Sequence, residues 1–129
     1  MRPDPRIDIF KATDAFAIDA YTASRRLKGG KGNRLAAEIR RTAVESGGAV
    51  VAASAAEPGG EQERSHLQRA RSALIESRYY IYLARRFGLL DLKKYRTLAS
   101  RQDAALRELE GFLRPLRKTG NALESPILR

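Results

Sequence analysis

The sequence predicts an all-α protein, an antiparallel up-down-up-down four-helix bundle. Three observations carry that expectation. Apolar and small residues recur at steps of three and four through four long segments, glycine- and proline-bearing breaks separate those segments, and no two alternating β-branched runs are present to pair as a sheet. Short breaks force sequential helices to be antiparallel neighbours, which gives the up-down order. With 129 residues the chain amounts to one domain, large enough to bury a core without disulfides or metal. The bundle is expected over residues 1–118, with 119–129 as a flexible C-terminal tail.

The first helix is expected over residues 8–27, with Phe10, Thr13, Ala17, Ala20, Ser24 and Leu27 as its buried stripe and Asp8 as its N-cap. The following "KGGKGN" reads as a loop, because its three glycines are costly inside a helix, and Asn33 is then placed to cap the next element.

The second helix is expected over 34–57, along Leu35, Ile39, Ala43, Ser46, Val50, Ala53 and Glu57. This stripe passes Gly47-Gly48 without losing phase. A turn at that pair would impose no agreement between the periods on either side, so the spacing predicts one helix running through both glycines. Each interior glycine costs about 1 kcal/mol relative to alanine, and the cost calls for a tertiary contact. A second stripe, Ala37, Val44, Gly48, Val51 and Ala55, lies nearly opposite the first.

"EPGG" at 57–60 ends that helix. The third is expected over 61–87, along Leu67, Ala70, Leu74, Ser77, Ile81, Ala84 and Gly88, with Gly88 as a left-handed C-cap. Asp91 caps the fourth, expected over 91–117 along Leu92, Tyr95, Ala99, Gln102, Leu106, Leu109, Leu113 and Leu116, with Pro115 late enough to end or bend it.

Composition narrows the function. Without cysteine there is no disulfide, thiolate metal site or cysteine nucleophile, and a reducing cytoplasm is expected. The longest uncharged run, 46–56, is too short for a membrane span, and "MRPDPRIDIF" has no apolar signal region, so a soluble protein without a membrane partner is expected. His66 is the only histidine. Glu63 three residues before it matches one half of a bundle di-metal site and the other half is missing. "GGKGNR" lacks the ending of a phosphate-cradling loop. No catalytic residue, metal or cofactor is expected, and the protein is not expected to be an enzyme.

Lysine plus arginine outnumber the acids 25 to 15, for a net charge of +10, which favours a polyanionic partner. Arg64, Arg71, Arg78 and Arg85 stand at intervals of seven on the third helix, a row with roughly 10 Å between neighbours. Tyr79, Tyr82 and Arg86 accompany it, and Arg40-Arg41 form a cluster on the second helix. Arginine beside tyrosine suits phosphates and unstacked bases. The same row also suits a solvated face paired with neighbouring carboxylates. The candidate nucleic-acid contacts are Arg40, Arg41, Arg71, Arg78, Tyr79, Tyr82, Arg85 and Arg86, for RNA in preference to DNA. The alternative is a scaffold for an acidic protein or a nucleoprotein partner. Lys28, Lys31 and Arg34 around the first loop share one end of the bundle with Arg85 and Arg86, and together make a basic end.

"EIRRTAV" at 38–44, "ARSALIE" at 70–76 and "LARRFGLLDLKKY" at 83–95 resemble the bacterial four-helix-bundle proteins encoded in intervening sequences of 23S ribosomal RNA genes. The resemblance spans about residues 9–117 and implies an up-down bundle assembled as a ring-shaped homopentamer. The accessory variability protein of diversity-generating retroelements is similar in fold, and there a basic pentamer contacts nucleic acid and a reverse transcriptase. By position, the family's Leu-Arg-Arg falls on Ile39, Arg40 and Arg41, and its helix-three glutamate on Glu76. Its Ser-Ile-Pro and Asn-Ile-Ala-Glu-Gly stretches become Glu45-Ser46-Gly47 and Ala49-Val50-Val51-Ala52-Ala53, so the polar groups of that motif are lost. A ring would cover the second stripe of helix two. Val44, Gly47, Gly48, Val51 and Ala55 are therefore the candidate oligomer interface.

Overall fold

The structure, a computed structural model, describes residues 4–113 and 127–128. Four helices build it: α1 (Pro5–Ser24), α2 (Gly29–Ala55), α3 (Glu61–Arg86) and α4 (Leu92–Leu113). Each packs on the next, and α1 packs on α4, as in an up-down bundle. The α2–α3 contact is the most extensive and α3–α4 the least. None of the described helices is long and apolar enough to cross a membrane. Pro115, Leu116 and the start of the expected tail lie outside the described residues.

α1 begins one turn earlier than its stripe suggested. Asp4, not Asp8, is the N-cap; its carboxylate accepts from the Arg6 amide at 2.9 Å, and Pro5 takes a first-turn position where its missing N–H costs nothing. The buried face also differs. Ile9, Thr13, Phe16, Ala20, Ala23 and Ser24 face the core, while Phe10 is 40% exposed. The N-terminal half of this helix carries apolar residues at adjacent positions, so two stripes compete. The packed one buries Ile9 and Phe16 together.

The segment expected as a loop is helical: α2 starts at Gly29, whose φ of 86° reverses the chain after the Lys28 N-cap, and Asn33 lies inside the helix. Gly32 explains why glycine suits this helix start. A Cβ there would sit 2.9 Å from the Leu27 carbonyl carbon, so only a bare backbone lets the first turn of α2 press against the end of the preceding connection. Beyond it, α2 runs unbroken through Gly47-Gly48 and buries Leu35, Ile39, Ala43, Ser46, Val50 and Ala53 as expected. It ends at Ala55, which leaves Glu57 outside the helix and exposed.

Glu63 holds the turn into α3. It is buried, and its carboxylate accepts from the Gly59 amide at 2.9 Å and from Arg6 Nη1 at 3.2 Å, joining the α2–α3 turn to the start of α1. α3 buries the expected stripe apart from Gly88. That residue has φ 74° just past the helix end, where the Gly88 and Leu89 amides donate to the Arg85 and Ala84 carbonyls. This is the paired-bond C-cap that a left-handed glycine permits. Asp91 then caps α4 through the Lys94 amide at 2.7 Å. α4 buries Leu98, Gln102, Ala105, Leu106, Leu109 and Leu113; of the expected stripe, Tyr95 and Ala99 are half-buried and Leu92, in the first turn, is exposed.

Candidate nucleic-acid interface

Of the four arginines spaced by seven on α3, Arg78 enters the seam with α4. Its Nε donates to Gln102 Oε1 and its Nη2 to Asp103 Oδ1 and the Ala99 carbonyl, and only 11% of the side chain is exposed. Gln102 is itself buried, with Nε2 donating to the Leu74 carbonyl. Arg78 therefore fastens α3 to α4, and its guanidinium is withdrawn from the expected phosphate surface. Arg64 and Arg71 are half-buried, whereas Arg85 at the end of the row is exposed. A spacing of seven places side chains on one side of a helix but does not say whether that side meets solvent or a neighbour.

Arg40 and Arg41 are adjacent in sequence and differ in surroundings. Arg41 pairs with Glu38 at 3.1 Å, Glu45 at 3.7 Å and Glu76 at 2.7 Å. Hydrogen bonds to Glu38 and then Glu76 raise its already high pKa. Tyr80 Oη donates to the same Glu76 carboxylate. That bond, followed by the one from Arg41, holds Glu76 below its ordinary range, while the Tyr80 phenol is pushed up to about 12, chiefly by its bond to Glu76. Arg40 faces α1 instead: Nη1 donates to Ser24 Oγ at 3.2 Å and the guanidinium lies 5.7 Å from the Tyr21 ring centroid, with Arg25 at 5.8 Å from the same ring. Tyr21 carries no signal in the sequence, since only the α1–α2 packing brings Arg40 to it.

Towards the C-terminal end of α3, the exposed Tyr79, Arg85 and Arg86 gather around a half-buried Tyr82. Tyr79 is 47% exposed and stacks on Tyr82 with ring centroids 6.5 Å apart and planes at 23°. Arg86 Nη1 donates to Tyr82 Oη at 3.1 Å and its guanidinium lies 5.8 Å from that ring. Beside them, Lys31 from the start of α2 sits 4.7 Å from the centroid of Phe87, the C-cap residue of α3. The expected basic end is thus assembled from two helix termini. Phe87, exposed and aromatic, belongs to it as well, a membership that no local pattern announces.

No known family, curated protein or solved structure matches the chain. Its described residues form four helices and are all α.

The outer stripe of α2 is open. Val44 is 59% and Val51 53% exposed, Gly48 and Ala55 are exposed, and Gly47 is half-buried. A Cβ on Gly47 or Gly48 would meet nothing within 4 Å. Contacts among the described residues therefore give no reason for either glycine. Glu63 and His66 show no convergence on a metal: the carboxylate is taken by Arg6 and Gly59, and His66 Nδ1 lies 3.2 Å from Arg69 Nη2. Among the described residues no three acids or histidines are grouped to hold a cation.

Proposed function

We propose that this protein is a non-enzymatic, basic, homo-oligomeric bundle that binds nucleic acid, RNA in preference to DNA. The observation that carries this reading is the partly exposed group of Tyr79, Tyr82 and Arg86 at the cationic end of a chain of net charge +10. Aromatic faces accept unstacked bases of either sugar type, and arginine supplies the phosphate contact. Single-stranded and looped RNA presents such bases most often, which gives RNA the preference. Arg40, Arg85 and Arg86 are the phosphate-binding groups of this reading. Arg78 and Arg41 are spoken for by the bundle's own acids and amides.

Assembly is part of the same proposal. The exposed Val44–Val51 stripe and the unexplained Gly47-Gly48 pair suit close approach of a second copy, with Ala55 at the end of the contact. The resemblance to the 23S intervening-sequence proteins makes a homopentameric ring the expected form, in which repeated basic ends would act together on one strand.

Filter binding of single-stranded RNA and DNA across a salt series tests the function. Affinity is expected to fall steeply and linearly in log–log form as salt rises, because each phosphate contact releases counterions. Arg85→Glu with Arg86→Glu is expected to flatten that slope. Undetectable binding at low salt overturns the proposal.

A further inference from the structure

Where α2 begins and α3 ends, the two helices flank a recess of about 420 Å³ that is open to solvent. This volume lies within the range of about 300–1,000 Å³ typical of small-molecule sites. Its walls are preformed. Leu35 is buried, and Tyr80 and Leu83 pack on the hydrophobic core, so the apolar lining is fixed by the fold. Phe87 contributes an aromatic face that is 46% exposed, on a backbone fixed by the bond from its amide to the Leu83 carbonyl at 2.8 Å and by the glycine cap that follows. Lys31 and Arg34 supply the cations of the lining, with the Lys31 ammonium already resting against the Phe87 ring. Glu38 is the acidic member, and Arg41 offsets its charge across 3.1 Å.

An apolar recess with one aromatic wall and two cations beside it matches a particular chemistry: a planar ring that carries a phosphate. We propose that this cavity receives one unstacked nucleotide of a single-stranded nucleic acid, its base against Phe87 and its phosphate on Lys31 and Arg34. The inference rests on the nucleic-acid reading above and adds a base-holding subsite separate from the Tyr79–Tyr82 stack. A duplex keeps its bases paired and stacked, so it has nothing to insert.

The chain contains no tryptophan, which makes Phe87→Trp a single reporter at the cavity. Excited selectively, its emission is expected to be quenched saturably by a ten-nucleotide single-stranded oligoadenylate and left unchanged by a ten-base-pair RNA duplex. In parallel, Phe87→Ala and Phe87→Leu are assayed by fluorescence anisotropy with labelled single strand and labelled duplex, after circular dichroism confirms wild-type melting. Both variants are expected to bind the single strand roughly tenfold more weakly or worse, as loss of a stacking partner does, with duplex affinity within about twofold of wild type. Leucine keeps the apolar wall and lacks the ring, so it controls for folding. Wild-type binding that both variants retain, together with unquenched emission from the Phe87→Trp variant, overturns the cavity and leaves the broader reading standing. Equal losses for single strand and duplex also overturn it. A wild-type protein that binds neither oligonucleotide at low salt overturns both.

Discussion

Arg41 on α2 and Glu76 on α3 stand 35 residues apart in the chain and meet with Nη2 and Oε2 at 2.7 Å. They bridge the two helices that share the most extensive contact. Both side chains are nearly half exposed, so solvent screens the pair and its value lies in registering α2 against α3 more than in stability.

The third member of that group gives a spectroscopic prediction. Tyr80 donates to the Glu76 carboxylate and its phenol is pushed up to about 12. A phenol raised in the folded state stabilises it fully below the ordinary tyrosine range and loses that contribution as pH rises through about 12. Glu76 is lowered, so its contribution is complete above the ordinary glutamate range and is lost as pH falls through its depressed folded value. Ultraviolet titration of wild type minus Tyr80→Phe should isolate the late phenol, and Glu76→Gln should move that difference curve to lower pH.

Arg78 is expected to behave as a structural residue. Arg78→Ala leaves the buried Gln102 side chain without the guanidinium that its Oε1 accepts from, and should lower unfolding free energy by about 1–3 kcal/mol in urea titration. Arg78→Lys should recover little, because an ammonium cannot span Gln102, Asp103 and the Ala99 carbonyl as the forked guanidinium does.

Two glycines at the start of α2 should respond oppositely to alanine. Gly32→Ala places a Cβ 2.9 Å from the Leu27 backbone and should destabilise by about 1–3 kcal/mol, since backbone must shift to admit it. Gly30→Ala meets open space in a helical conformation and should be neutral or stabilising by up to about 1 kcal/mol. Melting of the two variants side by side measures the difference.

Gly48 separates fold from assembly. Among the described residues nothing would meet a Cβ there, so Gly48→Ala should strengthen α2 by up to about 1 kcal/mol, while Gly48→Leu should leave the single-chain fold intact and, under the proposed assembly, reduce the mass measured by light scattering. Unchanged mass in the leucine variant would place any interface elsewhere.

How legible the candidate site was follows from the same contrast. The Tyr79, Tyr82, Arg85 and Arg86 cluster was visible in sequence because it lies within one helix, at spacings that a helix brings together. Tyr21 beside Arg40, and Phe87 beside Lys31, each join two helices, and neither pairing has a local signal. The glycine-rich start of α2 misled for a different reason. Propensity penalises glycine in a helix, yet the close approach at Gly32 makes it the residue that fits.

By itself the sequence determined four helices, their order, the breaks at Gly88 and "EPGG", the Asp91 cap and the unbroken passage of α2 through Gly47-Gly48. All of these are periodic or capping properties carried by neighbouring residues. Only the tertiary structure decided that α1 buries Ile9 and Phe16 rather than Phe10, and that Arg78 enters a seam while Arg85 stays in solvent. One residue turns a helix face by about 100°, and where two faces can both pack, the neighbouring helices choose the rotation.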